Sequence, residues 1–268
     1  MVITMKKVII FTVALNGYQW RYKSLLTSHE NYAKRHGYQY VAVTKPAMSL
    51  LGEEVAWLKI KLILEAMNTG YDWVVFLDAD TRVAEYTPPI HQLADINKHL
   101  YACKGYTGRL NSGVLVIENT KSTYQLFSKI INHATHPIPK EDDVGWGENG
   151  HVIHYTKHCD FLHFIDNRWN NNQNPTLTDY IRHYSQGPLH DSFKPPFIHH
   201  CLERSYHYVL AALKRIHRFT KTHHKRDQAH NKRQFYHQLN ALTQAVLRHY
   251  PLFKRLPQTN YHPANLQQ

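Results

Sequence analysis

Cysteine is scarce in this chain: Cys103, Cys159 and Cys201 are its only three, far apart and without a C-x-x-C pair. So sparse and odd a set excludes a disulfide-stapled scaffold and a cysteine-rich zinc site, and it fits a reducing compartment. Long apolar runs are missing too. No stretch approaches the ~18 unbroken apolar residues of a membrane span, which leaves a soluble or peripheral protein. A leader is equally hard to find. Lys6-Lys7 precedes a short apolar run, but Asn16-Gly17-Tyr18-Gln19-Trp20 offers no small-residue cleavage site. The run reads instead as a buried first strand ending in a glycine turn, and a cytoplasmic location is the expectation. Acidic side chains are few, 20 against 32 Lys and Arg, for a formal charge of +12. What is present is core material: 43% hydrophobic and 12% aromatic residues, which rule out a chain disordered throughout. The 268 residues suit one large domain, or one domain with an extension.

The charge is lopsided. Residues 1–199 carry 20 basic and 18 acidic side chains, whereas residues 200–268 carry 12 basic and two acidic, with nine histidines besides. A near-neutral body of residues 1–202 is thus expected to carry a basic extension, 203–268. In that extension Tyr206, Val209, Leu210, Leu213 and Ile216 recur at helical spacing, with Lys214, Arg215 and Arg218 interleaved. Phe235, Leu239, Leu242, Val246 and Leu247 form a second such set, and His223-His224-Lys225-Arg226-Asp227 reads as a solvated connection. Pro251, Pro257 and Pro263 mark an irregular end. Basic amphipathic helices suit an anionic membrane surface or a nucleic-acid backbone; alternatively the stripes pack on the body, as at least one is expected to do.

The body alternates strands and helices. Lys7–Ala14, Tyr38–Val43, Trp73–Leu77, Leu100–Cys103, Gly113–Ile117 and Phe161–Ile165 read as strands. Tyr22–His36, Trp57–Met67 and Thr120–Ile131 read as helices. The pattern implies an α/β sheet protein. Asn170-Asn171-Asn172-Gln173-Asn174-Pro175 reads as a polar loop.

The chemistry concentrates in Val74-Val75-Phe76-Leu77-Asp78-Ala79-Asp80-Thr81, a hydrophobic strand running straight into two carboxylates. Burying charge is costly unless it is paired or metal-bound, so two acids at the mouth of a core strand ask for a cation. Ligands of open α/β sheets bind outside the carboxyl ends of the strands. Mg²⁺ or Mn²⁺ would accept carboxylate oxygens there, and a diphosphate would complete the shell.

With Trp57-Leu58-Lys59 and Tyr71-Asp72-Trp73 before it, this stretch resembles retaining glycosyltransferases of the GT-A fold, an α/β fold with a mixed central sheet. The resemblance is to the galactosyl- and xylosyltransferase family of fungi and plants and, more distantly, to the glycogenin-like family. Leu110-Asn111-Ser112-Gly113-Val114 resembles the family's N-S-G strand, Arg168-Trp169-Asn170 its W-N element, and Phe197-Ile198-His199-His200 the late strand whose histidine completes the metal site. The resemblance implies transfer of a hexose, galactose or glucose, from a UDP-sugar to a glycan or lipid-linked acceptor, with retention. It implies Asp78 and Asp80 as metal ligands with His199, or His200, as the third, and Mn²⁺ or Mg²⁺ as the ion. It also places Thr12, Ala14, Lys59, Ala79, Asn111, Ser112, Gly113, Trp169 and Asn170 beside the donor. Lys59 on a solvated helix face is the competing reading.

Glu148 and Asn149 stand where the family commonly has an Asp-Gln pair facing the reacting sugar, and are the expected catalytic pair. Asp142 and Asp143 nearby read as a solvated charge run. After His199, Leu202-Glu203-Arg204 lacks the glycine and Lys-Pro-Trp of many glycogenin-like enzymes. Two rival readings remain. A hydrophobic strand ending in D-x-D and a threonine also resembles the first motif of haloacid-dehalogenase-like phosphohydrolases, which usually open with it, and the tail alone would suit a nucleic-acid-binding module, though this explains no carboxylate pair. A polysaccharide-building transferase would meet its acceptor at the inner membrane face, where the basic tail would hold it.

Overall fold

A computed structural model describes residues 6–52, 54–145, 147–220 and 228–254. The expected connection 223–227 and the prolines Pro257 and Pro263 lie outside them. Strands β1 (Val8–Val13), β2 (Gln39–Val43) and β3 (Trp73–Leu77) pair in parallel, with β1 in the middle. The ribbon β4 (Thr81–Val83) leaves β3 just past the acids. Strands β5 (Leu100–Lys104), β6 (Leu110–Glu118) and β7 (Leu162–Phe164) extend the sheet from the other edge of β3, giving the order β2-β1-β3-β6-β5-β7. The β3–β6 and β5–β6 pairs are antiparallel, so the sheet is mixed. A separate two-stranded sheet joins β4 to β8 (Ile181–His183), with Thr81 opposite His183.

Both faces of the central sheet are covered, as a continuous apolar run such as β3 requires. Ile9, Phe11, Val74, Phe76, Leu115 and Ile117 point to one side, against Trp57, Ile60 and Leu64 of α3 (Glu54–Asn68) and Phe127 of α4 (Lys121–Asn132). Ile10, Trp73, Val75, Leu77, Val114 and Val116 point to the other, against Tyr32 and Ala33. Those two belong to α2 (Lys23–His36), which follows the single turn α1 (Tyr18–Arg21) and ends on Gly37 at φ 69°. The period-2 alternation of each strand does the sorting. Thr120 caps α4 through a reciprocal bond with Thr123.

Three segments differ from expectation. A helix, α5 (Asn149–Thr156), follows Glu148 where none was expected. Phe197–His200 is no strand: it is the first turn of the long helix α6 (Phe197–Thr220), closed by His200 N–H donating to the Pro196 carbonyl at 3.0 Å. Pro195 and Pro196 halt whatever precedes, and the helical apolar spacing that follows carries the chain on as a helix. The polar asparagine loop is tucked in, with Asn170, Asn171 and Asn172 each 1% exposed. Asp142 is also buried, held by His154 at 2.8 Å and Lys157 at 2.5 Å, rather than part of a solvated run.

The basic segment packs with the body. Leu239, Leu242, Val246 and Leu247 of α7 (Gln228–His249), with Phe253, join the same core as Trp57 and Phe11. Helix α6 runs through position 202 and lies against α1. Arg21 Nη1 bridges both carboxylate oxygens of Glu203 at 3.0 and 3.2 Å, and Glu203 is 4% exposed.

Candidate metal and donor site

Strand β3 delivers Asp78 and Asp80 to the floor of a cleft of about 880 Å³, whose walls come from β1, α3, the β5–β6 turn, the β8 end and α6. The backbone there is tied down: Asp78 N–H donates to the Gly113 carbonyl at 2.7 Å, and the Thr81 hydroxyl donates to the Asp78 carbonyl at 2.7 Å. The β4–β8 pairing then carries His183 over the acids. Its Nε2 lies 3.2 Å from Asp80 Oδ1 and 3.8 Å from Asp78 Oδ2, and the three side chains offer ligand atoms all within 4.8 Å of one another.

The chemistry of this trio fits a divalent cation. His183 is 2% exposed, and its Nε2 is buried with no hydrogen-bond partner. Nδ1 faces Asn170 Oδ1 at 2.9 Å, and Asn170 Nδ2 donates to Asn111 Oδ1 at 3.0 Å. The amide orientation therefore calls for the proton on Nδ1 and leaves Nε2 for the acids, as outer partners of metal-binding histidines do. Burial opposes charge on His183, but Asp80 and Asp78 outweigh it and raise its pKa. Burial likewise raises Asp78, while His183 overcomes burial and lowers Asp80. The carboxylates thus draw positive charge toward the ring, a demand that a bound cation would meet in place of the proton.

Gly113 is required by this packing. A Cβ there would collide with the His183 ring and lie 2.7 Å from Asp78 Oδ2. The N-S-G glycine thus makes room for two members of the trio.

Next to the acids sits a buried ion pair. Lys59 is 6% exposed and Glu148 5%, so the solvated-face reading of Lys59 does not hold. Lys59 Nζ is 2.5 Å from Glu148 Oε1, 3.0 Å from Ser112 Oγ and 3.9 Å from Asp78 Oδ1. Burial pushes against its charge, but Asp78 and Glu148 prevail and hold its pKa above the ordinary value. The Ser112 hydroxyl donates to the same Glu148 oxygen at 2.8 Å. Asn149 is occupied with backbone: its Oδ1 accepts from Ser112 N–H at 2.9 Å and its Nδ2 faces the Leu110 carbonyl at 3.4 Å. It fixes the β6 strand beside Glu148.

The structure brings Lys59, Asp78, Ala79, Asp80, Asn111, Ser112, Gly113, Glu148 and Asn149 into the cleft wall. Others it places elsewhere. Alternation along β1 turns Thr12 and Ala14 inward, where Thr12 Oγ1 bonds His29 Nδ1 at 3.0 Å, and leaves Val13 and Leu15 lining the cleft. Trp169 packs in the core against Tyr180, and Asn170 works behind His183 and Asn111. His199 and His200 sit on the first turn of α6, His200 3.6 Å from Glu203, and neither belongs to the trio. His183 takes the position expected of them. Its one sequence signal is the alternation Ile181-Arg182-His183, inward, outward, inward, over a strand of three residues.

Comparison with known proteins agrees with this geometry. The family model for the galactosyl transferase GMA12/MNN10 family matches residues 4–93. No curated protein matches the chain. Among solved structures, a glycosyltransferase involved in glycosylation of the major capsid of PBCV-1 is similar at 14% identity and TM-score 0.51, over 66% of this chain and 94% of that one. The glycosyltransferase GlyE of Streptococcus pneumoniae TIGR4 is similar at 16% identity and TM-score 0.47, over 90% of this chain and 64% of that one. The galactosyltransferase LgtC, solved with donor and acceptor sugar analogs, gives 14% identity and TM-score 0.45, over 66% and 87%. The fold assignment rests on the first of these, and the family match favours transfer over the phosphohydrolase and nucleic-acid readings. The chain thus has the mixed α/β fold of a GT-A glycosyltransferase, and its residues 4–93 match the model of the galactosyl transferase GMA12/MNN10 family.

Proposed function

We propose that the protein transfers a hexose, galactose or glucose, from a UDP-sugar to a hydroxyl of a glycan or lipid-linked acceptor, with retention and with Mn²⁺ or Mg²⁺. The observation that carries this reading is the Asp78–Asp80–His183 trio with an orphaned imidazole nitrogen, opening on a cleft beside the Lys59–Glu148 pair. Asp78, Asp80 and His183 would hold the ion, which when bound neutralises the charge gathering on the departing diphosphate. In the net reaction the bond from the sugar's anomeric carbon to the diphosphate oxygen breaks. A bond to the acceptor oxygen forms, and the acceptor's proton passes to the diphosphate. Glu148 keeps one carboxylate oxygen tied to Lys59 and Ser112, which orients the group toward donor or acceptor hydroxyls and a positively charged transition state. Asn149 acts as a positioning residue.

A panel of nucleotide sugars assayed for Mn²⁺-dependent hydrolysis tests the reading. UDP-galactose or UDP-glucose should be consumed, and Asp78→Asn or Asp80→Asn should stop it. Full activity in EDTA with both substitutions present would overturn it.

We further propose that the enzyme works at the cytoplasmic face of an anionic membrane. No helix among the described residues is long and apolar enough to cross one. Ile198, Leu202, Val209, Leu213 and Ile216 form an exposed apolar stripe along α6, and Arg204 and Arg215 are exposed on another face of the same helix. Near such a surface each base contributes about 1 kcal/mol, screened by salt. Vesicles containing phosphatidylserine should bind the protein at low salt and release it at high salt; indifference to lipid charge would reject the anchor.

A further inference from the structure

The cleft has two halves, and the nucleotide-sugar reading uses one. In α/β sheets a nucleotide lies beyond the carboxyl ends of the parallel strands, here the side of Val13, Leu15 and Asn16. The other half is built at the antiparallel side, from the β5–β6 turn and the loop after β8. Its lining includes Tyr106, Thr107, Arg109, Asn172, Ser185 and Gln186. Apart from one guanidinium these are uncharged hydrogen-bonding groups around an aromatic ring, and Arg109 is engaged with the carbonyls of Glu141 and Asp143 at 3.1 and 3.3 Å.

Tyr106 is 50% exposed, yet it is held in place. Its N–H donates to Asn172 Oδ1 at 3.1 Å, and the buried Asn172 reaches Ser185 Oγ with its Nδ2 at 3.4 Å, so one amide fastens both loops. The Tyr106 ring edge lies over Gly187, where a Cβ would approach it to 2.9 Å. Both loops are also wired to the metal trio. Tyr184 N–H, next to Ser185, donates to the Asp80 carbonyl at 2.9 Å, and Gly105, next to Tyr106, abuts Asn111. An exposed aromatic side chain that is fixed from behind, a short reach from the reacting centre, is a platform for an apolar face. Neutral amides and hydroxyls around it suit a ligand rich in hydroxyls and without charge.

We infer that Tyr106 and the loop after β8, fastened together by Asn172, form the acceptor subsite, and that it takes a neutral hexopyranoside, the ring's C–H face on Tyr106 and its hydroxyls on Ser185 and Gln186. The inference rests on the transferase reading for its role as an acceptor site, but its binding can be measured without a donor. Saturation-transfer NMR on the full chain, with the methyl α- and β-pyranosides of glucose, galactose and mannose, should show binding of at least one glycoside. Tyr106→Ala should weaken that binding on the order of tenfold and Tyr106→Phe should preserve it. In donor assays the same glycoside should speed UDP-sugar consumption, and Tyr106→Ala should raise its KM far more than it lowers kcat. Absence of binding by every glycoside, or an affinity unmoved by Tyr106→Ala, overturns the subsite. Glycoside binding through Tyr106 with no UDP-sugar consumed would instead sink the transferase reading and leave the subsite standing.

Discussion

Lys59 Nζ lies 2.5 Å from Glu148 Oε1, and both side chains are almost wholly buried. Neither charge is near enough to water to be solvated alone, so each depends on the other. Removing one partner of a buried pair costs about 3–5 kcal/mol, whereas replacing both by apolar groups is often neutral. Lys59→Met is therefore expected to lose most of that amount in urea unfolding, and the Lys59→Met/Glu148→Met double variant to recover much of it. Equal stabilities for the single and double variants would show that the pair is not coupled.

The metal trio predicts an asymmetry among histidines. His183→Ala should weaken Mn²⁺ binding on the order of 100-fold, measured by calorimetry, with far-UV circular dichroism unchanged. His199→Ala and His200→Ala, on α6, should leave it untouched. A loss at His199 as large as that at His183 would place the ligand set elsewhere.

Gly113→Ala should act like loss of the trio without touching a ligand. The added methyl forces the His183 ring and the Asp78 carboxylate apart. Mn²⁺ affinity should fall by at least tenfold while UDP-sugar hydrolysis drops with it, and retention of wild-type metal affinity would show that the site relaxes around the methyl.

His29 predicts an acid sensitivity away from the metal site. It is fully buried between Thr12 and Thr81, and burial lowers its pKa from 6.5 to about 4. Between those values the unfolded chain takes up a proton that the folded one refuses. Its contribution, about 3 kcal/mol, is present in full above pH 6.5 and is lost as pH falls toward 4. His29→Gln, which can still bond both threonines, should flatten the stability curve in that window. Parallel curves for the two proteins would rule out His29 as the source.

Removal of residues 228–268 should unfold the protein rather than free it from a surface. Leu239, Leu242, Val246, Leu247 and Phe253 are buried in the central core. At ~1.5–3 kcal/mol for each buried side chain, their loss exceeds much of the ~5–15 kcal/mol that holds a domain together. A cooperative thermal transition near that of the full chain would contradict this.

The elements that carry long patterns were legible in the sequence. Trp73–Leu77 is a five-residue apolar run that cannot face water, and its abrupt end at Asp78 and Asp80 singles out the two carboxylates as the candidate site. Helix α4 and strand β6 likewise announce themselves by their apolar patterns. Four things required the tertiary structure. His183 reaches the acids only because a three-residue strand pairs with another, too short for period 2 to stand out, across about 100 residues of chain. Lys59 is helical on either reading, and only packing against β6 shows that its amine is buried with Glu148. Asn149 is an amide in the expected place, but its bonds to Ser112 and Leu110 depend on how α5 meets β6. The stripes of α6 and α7 look alike as sequence; α7 became core by lying against α3, while α6 lies against α1 with Val209, Leu213 and Ile216 exposed. Local patterns determine which elements form and which faces are apolar. Convergence of side chains distant in sequence, and the choice of which apolar face is covered, are set by the packing of the whole chain.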